Sequence, residues 1–208
     1  MKKSYIILFI LIFVFTGTGC IRNKNDPERV INYLKNLDSY TAKVNIKVIN
    51  EKQNVEYNTV QYYDKNFGYR LELGDDRVLV YKDDKIQVTD IKSNVRYTMN
   101  KDFDSLFRLS LLGEYIGLAF TNEEAEYSLK EINGRTFQVL GLLIPGNNRN
   151  ISSAEIYADL KSNKPEFIII YDDKKSERVR ITYSNFVPDA EINKKLFNFF
   201  DIMTGIGL

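Results

Sequence analysis

Apolar and polar positions alternate with a period of two through most of this chain, the pattern of strands that bury one face. Tyr40, Ala42, Val44, Ile46 and Val48 alternate with Thr41, Lys43, Asn45 and Lys47 and predict the first strand. Further alternating runs cover 55–63, 68–73, 77–81, 86–91 and 95–99, with Asp83-Asp84 and Ser93-Asn94 as turns between the later ones. The pattern resumes over 127–132 and 135–144, divided by Asn133-Gly134, the strongest hairpin signal present. Runs at 154–160, 166–171 and 178–186 complete a predicted antiparallel meander.

Three stretches break that rhythm. Asp26-Pro27-Glu28 reads as a helix start: a capping acid, a proline at the first helical position and an acid in the first turn. Val30, Leu34 and Leu37 follow at helical spacing. Residues 102–120 hold Phe103, Leu106, Phe107, Leu109, Leu111, Leu112, Tyr115, Ile116 and Leu118, whose spacing predicts a helix capped by Asp102 or Asp104. It is apolar nearly all round, which implies burial on more than one side. Over 192–200 a terminal helical turn is expected, with Leu196, Phe197 and Phe200 facing inward. Strands with a few helices, and neither an internal repeat nor an interior linker, define one α+β domain.

The first twenty residues follow a different logic. Lys2 and Lys3 precede an uninterrupted apolar run, Tyr5 to Phe15, of signal-peptide length and too short for a stable membrane span. Gly17, Thr18 and Gly19 supply small residues beside a cleavage point, and the sole cysteine, Cys20, stands directly behind them. The arrangement resembles a bacterial lipobox, with Gly17 where an aliphatic is usual, and implies diacylglycerol and acyl (palmitate-type) attachment at Cys20. A plain secretory signal and an uncleaved anchor are the alternatives. The expected organisation is a signal peptide at 1–19, a lipidated Cys and short tether at 20–26, and a single domain at 27–208. So short a tether holds the domain close to its membrane, on the extracytoplasmic side.

Removing residues 1–19 leaves 189 residues, enough for one core. They carry 27 basic against 28 acidic side chains, which argues against a nucleic-acid partner because no basic excess can displace counterions. The membrane contact expected is therefore the lipid anchor itself. The chain has no histidine, and a lipidated Cys20 leaves no free thiol. The commonest general base, the commonest metal ligand and the strongest nucleophile are thereby missing. No cofactor is expected, and no disulfide within the chain.

Carboxylate pairs are the remaining catalytic material: Asp75-Asp76, Asp83-Asp84, Glu123-Glu124 and Asp172-Asp173. Each lies in a predicted turn, where such side chains serve nearby backbone groups. Ser105, Ser110, Ser152 and Ser153 lack a base or a recognisable nucleophile motif. No catalytic residue is assigned and no enzyme is expected. Phe103, Leu106, Phe107, Leu111 and Tyr115 have two readings: core helix packed across the sheet, or lining and lid of a cavity for acyl chains.

The order of elements carries a resemblance. A lipobox is followed by a helix ending in Leu37-Asp38-Ser39-Tyr40 and a strand of the form Tyr-x-Ala-x-Val-x-Ile-x-Val. Later come Gln61-Tyr62-Tyr63, Phe67-Gly68-Tyr69-Arg70-Leu71-Glu72 and Val80-Tyr81-Lys82-Asp83-Asp84-Lys85-Ile86, then Ile181-Thr182-Tyr183-Ser184-Asn185-Phe186 and Ile192-Asn193-Lys194-Lys195-Leu196-Phe197. Over about residues 27–200 this resembles the LolA/LolB-type lipoprotein fold. That resemblance implies a strongly curved antiparallel sheet, an open half-barrel, with helices on its concave face.

Within that fold the chain is similar to the germination lipoproteins of spore-forming clostridia. The similarity implies a noncatalytic partner of a cortex-modifying N-acetylmuramoyl-L-alanine amidase, placed in the forespore intermembrane space. No interface motif is visible, so no partner-binding residue is assigned. A lipid- or lipoprotein-binding carrier that uses a hydrophobic concave pocket stays open, as does a sensor or anti-sigma-regulator domain. A homodimer is open too: polar strand edges oppose sheet-to-sheet pairing, while long hairpins permit strand exchange.

Overall fold

The computed structural model describes residues 28–50, 52–121 and 124–198. Helix α1 (Arg29–Lys35) leads into six strands, β1 (Ser39–Ile49), β2 (Asn54–Asp64), β3 (Gly68–Leu73), β4 (Arg77–Lys82), β5 (Lys85–Asp90) and β6 (Val95–Asn100). A helical connection follows: 3₁₀ turns at Lys101–Phe103 and Phe107–Ser110, then helix α2 (Leu112–Thr121). Five more strands complete the sheet: β7 (Glu126–Ile132), β8 (Arg135–Leu143), β9 (Ser153–Asp159), β10 (Pro165–Tyr171) and β11 (Glu177–Pro188). A last 3₁₀ turn spans Lys194–Phe197.

The eleven strands form one antiparallel sheet in the order β6-β5-β4-β3-β2-β1-β11-β10-β9-β8-β7. First and last strands therefore meet in the middle, with Val44 opposite Tyr183 and Ile46 opposite Ile181. The two edges, β6 and β7, are neighbours in sequence. Their connection must cross the sheet, and that single requirement explains why residues 102–120 are apolar on so many sides. The sheet is curved and open, with both helices on its concave face, as the LolA/LolB resemblance implies. There the main core joins Val30, Ile31 and Leu34 of α1 to Ala42, Val44 and Ile46 of β1, Leu140, Ile156, Ile168 and Ile181 of the later strands, and Leu112 and Tyr115 of α2.

Turn chemistry pins the hairpins where the sequence places them. Asn133 and Gly134 both have positive φ, 52° and 73°, the pair of left-handed conformations a two-residue hairpin needs. Asp83 and Asn94 adopt φ of 53° in the β4–β5 and β5–β6 turns. Gly68 is required twice over: its φ is +87°, and a Cβ there would lie 2.1 Å from the Tyr81 carbonyl oxygen.

One helical expectation is corrected. Residues 102–120 do not form one helix. Asp104 has extended backbone, and its carboxylate accepts from the amides of Leu106 (3.1 Å), Phe107 (2.9 Å) and Arg108 (2.7 Å). A side chain thus satisfies donors that a continuous helix would have bonded internally, and the chain turns in 3₁₀ geometry before α2. The expected terminal turn is present among the described residues as Lys194–Phe197, with Leu196 and Phe197 packed against Phe67, Val78 and Val80 on the opposite, convex face. Phe200 and the apolar tail beyond it lie outside the described residues, as do the signal, Cys20, the tether and Asp26-Pro27.

That last turn is clamped by charge. Lys194 pairs with Asp64, whose side chain is buried, and Arg70, also buried, donates to the Leu196 carbonyl at 2.7 Å. Burial pushes the Asp64 pKa up, but the Lys194 ammonium and the Asn66 amide (2.9 Å) more than offset it, leaving the carboxyl below its usual range. A folded-state pKa below the unfolded one gives stability that is present above the unfolded value and lost as pH falls through the folded value. The melting temperature of Lys194→Met should therefore lie below that of the parent at pH 6, and the gap should close below pH 3.8, the ordinary value for this group. A gap that persists in acid would remove Asp64 as the partner that matters.

Candidate functional site

The concave face is built around a buried polar hub that fixes the crossing segment. Tyr40 Oη donates to Gln61 Oε1 at 2.6 Å, and Gln61 Nε2 donates to the Ser110 carbonyl at 3.1 Å. The same carbonyl accepts from Tyr183 Oη at 2.7 Å, while Ser110 Oγ donates to the Phe107 carbonyl at 2.7 Å. Around the hub, Tyr69 Oη accepts from the Gly113 amide at 2.9 Å and Tyr81 Oη donates to Asp104 Oδ2 at 2.5 Å. Side chains of β1, β2, β3, β4 and β11 thus reach across to hold residues 104–113. Gly113 admits the Tyr69 hydroxyl because a Cβ would lie 2.3 Å from it.

Burial pushes the phenol pKa values of Tyr40, Tyr69, Tyr81, Tyr115 and Tyr183 well up, so these hydroxyls remain protonated across the physiological range. They act as fixed hydrogen-bonding pins and not as acids or bases. The rings of Tyr40, Tyr63, Tyr69 and Phe186 also pack together, Tyr40 stacked on Phe186 at 4.9 Å and Tyr63 tilted against Tyr69 at 4.6 Å.

The five residues with a cavity or lid reading fall in different places. Leu111 and Tyr115 are fully buried, Leu111 against Leu71, Leu79 and Tyr81, and Tyr115 in the main core with its hydroxyl on the Leu109 carbonyl at 2.6 Å. Leu106 and Phe107 are half-buried against the main core. Phe103 is 74% exposed, away from the other four. Side chains of the crossing segment and of α1 fill the described concave face. An open depression of roughly 490 Å³ runs beside α2, lined by Leu109, Tyr115, Leu118, Ile144 and Pro145 among others.

The carboxylate pairs sit in turns, engaged locally. Asp172 accepts from the Lys174 and Ser176 amides (2.9 and 2.8 Å) and from Arg178 at 2.8 Å. The Ser176 amide first, and Arg178 after it, hold its pKa low despite burial. Asp76 pairs with Lys92, Asp84 with Lys85 and Asp173 with Arg149. Glu123 lies outside the described residues. Gln61 and Ser110, which fix the crossing segment, and Gln138, whose Oε1 accepts from the Val30 amide of α1 at 2.8 Å, carry no motif. Their one sequence signal is a polar residue at a core-facing place in an alternating or apolar run.

A curved, open antiparallel sheet with a crossing segment pinned on its concave face is a LolA-like fold. The chain belongs to the Sporulation protein YdcC-like family, whose profile matches residues 1–197. No curated protein matches it in sequence. Among solved structures it is similar to a conserved uncharacterized protein from Thermus thermophilus, at 12% identity and a TM-score of 0.55, covering 82% of this chain and 91% of that one. It is also similar to the structure of the CwlD amidase from Clostridioides difficile in complex with the GerS lipoprotein, at 20% identity and a TM-score of 0.47, covering 85% and 99%. A LolA superfamily protein from Nitrosomonas europaea matches at 10% identity and a TM-score of 0.43, covering 83% and 97%.

Proposed function

We propose that this chain is a noncatalytic, extracytoplasmic lipoprotein, anchored through Cys20, that binds and activates a cortex peptidoglycan N-acetylmuramoyl-L-alanine amidase during sporulation. The observation that carries the reading is membership, over residues 1–197, of a sporulation protein family. The sequence similarity to germination lipoproteins supplies the class of partner. Three further features support a binding role. The chain has no histidine, its carboxylate pairs serve turns, and its concave face is occupied by its own crossing segment. No helix among the described residues is long and apolar enough to cross a membrane, which leaves attachment to the N-terminal region in this reading.

The test is purification of the full chain in detergent from sporulating cells, with co-purifying proteins and lipids identified by mass spectrometry. An amidase in stoichiometric amount is the expected result. The depression beside α2 supports a carrier as the second reading, since its size is within the range of small-molecule sites. Bound lipid without any cell-wall hydrolase would replace the amidase reading with that one.

A further inference from the structure

We infer that β6 is the pairing edge of a two-fold homodimer, in which the β6 strands of two copies lie antiparallel and join their sheets. An open sheet has two free edges, each with unpaired backbone donors and acceptors. Here the edges differ sharply. Three of the seven residues of β7 are charged, Glu126, Lys130 and Glu131, while β6 has only Arg96 among six. Charge is the usual means of keeping an edge unpaired, so β7 is protected and β6 is not.

Apolar side chains are exposed at both edges, Leu129 and Ile132 on β7 and Val95 and Tyr97 on β6, but only on β6 does the exposed pair share one face. Tyr97 lies opposite Val88 and Met99 opposite Ile86, so Val95, Tyr97 and Met99 form a row on the concave side beside buried neighbours. Met99 packs against Leu79 and Tyr81, but Val95 remains 51% exposed and Tyr97 45%. Among the described residues the apolar surface of the sheet therefore continues to its rim and ends half-exposed.

Pairing rules identify a second copy as the occupant. Directly opposite residues in an antiparallel pair share a face, so a two-fold pairing must centre on one residue. Centred on Tyr97, the strand sets Tyr97 against Tyr97, Val95 against Met99 twice, and Arg96 against Thr98. Apolar meets apolar and no like charges face each other. Centring on Arg96 would oppose two guanidinium groups, and centring on Thr98 would set Lys101 against Val95. Pairing β6 with β7 of the next copy, the head-to-tail alternative, sets Glu131 against Val95 when Leu129 meets Tyr97. Self-pairing closes as a dimer, whereas the head-to-tail contact would run on as a filament.

The full chain bearing Tyr97→Cys, oxidised in membranes, tests this directly. Residues opposite in an antiparallel pair have Cα atoms about 4.5–5.5 Å apart, within disulfide reach. More than half of the Tyr97→Cys chains should cross-link to dimers, above the background of the parent chain with Cys20 alone. Leu129→Cys, on the other edge and 57% exposed, should stay at that background. Adding Val95→Lys to Tyr97→Cys should reduce dimer at least tenfold. Equal cross-linking at positions 97 and 129, or no response to Val95→Lys, would overturn the pairing.

Discussion

Gln61→Ala is expected to lower the unfolding free energy by about 3 kcal/mol, the sum of an unpaired buried hydroxyl and a small cavity. Gln61 is completely buried between Ala42 and Leu71, and its amide accepts from the Tyr40 hydroxyl and is one of two side chains on the Ser110 carbonyl. Removal takes away the acceptor of the buried Tyr40 hydroxyl and loosens the crossing segment at its midpoint. Tyr40→Phe should cost about 1 kcal/mol, since it removes a donor while keeping the ring. Adding it to Gln61→Ala should cost less than it does alone, because the two substitutions break one shared bond. Urea unfolding of the four proteins measures this coupling. Strict additivity, or a loss below about 1 kcal/mol for Gln61→Ala, would mean the hub does not fix the segment.

Cys20→Ala is expected to have the largest effect on location, moving essentially all of the protein from the membrane fraction to the soluble extracytoplasmic fraction. Covalent acyl chains contribute about 0.8 kcal/mol per buried CH₂, so two or more chains hold a protein on a membrane and none leaves a nearly neutral domain free. With 27 basic and 28 acidic residues after position 19, the remainder offers little net attraction to anionic lipid. Detergent phase partitioning of parent and variant reads the change. A variant that stays with the membrane would show that the apolar run Tyr5 to Phe15 is retained as the anchor.

The strands were legible because each buries one face, and burial of one face writes a period of two into the sequence. All eleven expected strands are present, with ends displaced by a few residues, and Asn133-Gly134 marks its hairpin. What the alternation cannot encode is which strands end up adjacent. The return of β11 to β1 depends on contacts between residues more than a hundred positions apart, such as Ile46 and Ile181. The crossing segment was misread for a related reason. Its apolar density is dictated by the sheet on one side and α1 on the other, while its backbone shape is set by Asp104, Tyr81, Gln61 and Tyr183, residues far apart in sequence. Helical spacing alone could not register that the backbone bonds outward.

The candidate site was less legible than the fold. The lone cysteine after an apolar run and the acids placed in turns are legible in the sequence, but no motif marks a surface for a partner. The five residues read as cavity or lid lining illustrate the limit: periodicity groups Phe103 with Leu111 and Tyr115, yet a break at Asp104 leaves Phe103 in solvent and the other two in the core. The β6 edge follows the same principle in reverse. Val95, Tyr97 and Met99 look like ordinary half-buried strand residues in sequence, and only the position of β6 at the end of the sheet leaves the first two uncovered.

The most direct test of the central claim is an amidase assay: the enzyme that co-purifies with the full chain, incubated with spore-cortex peptidoglycan, with and without the chain, while release of stem peptide from muramic acid is followed. An activating partner should raise the rate at least tenfold when the chain is added, with no release by the chain alone. An amidase equally active without it, or release by the chain on its own, would contradict that role.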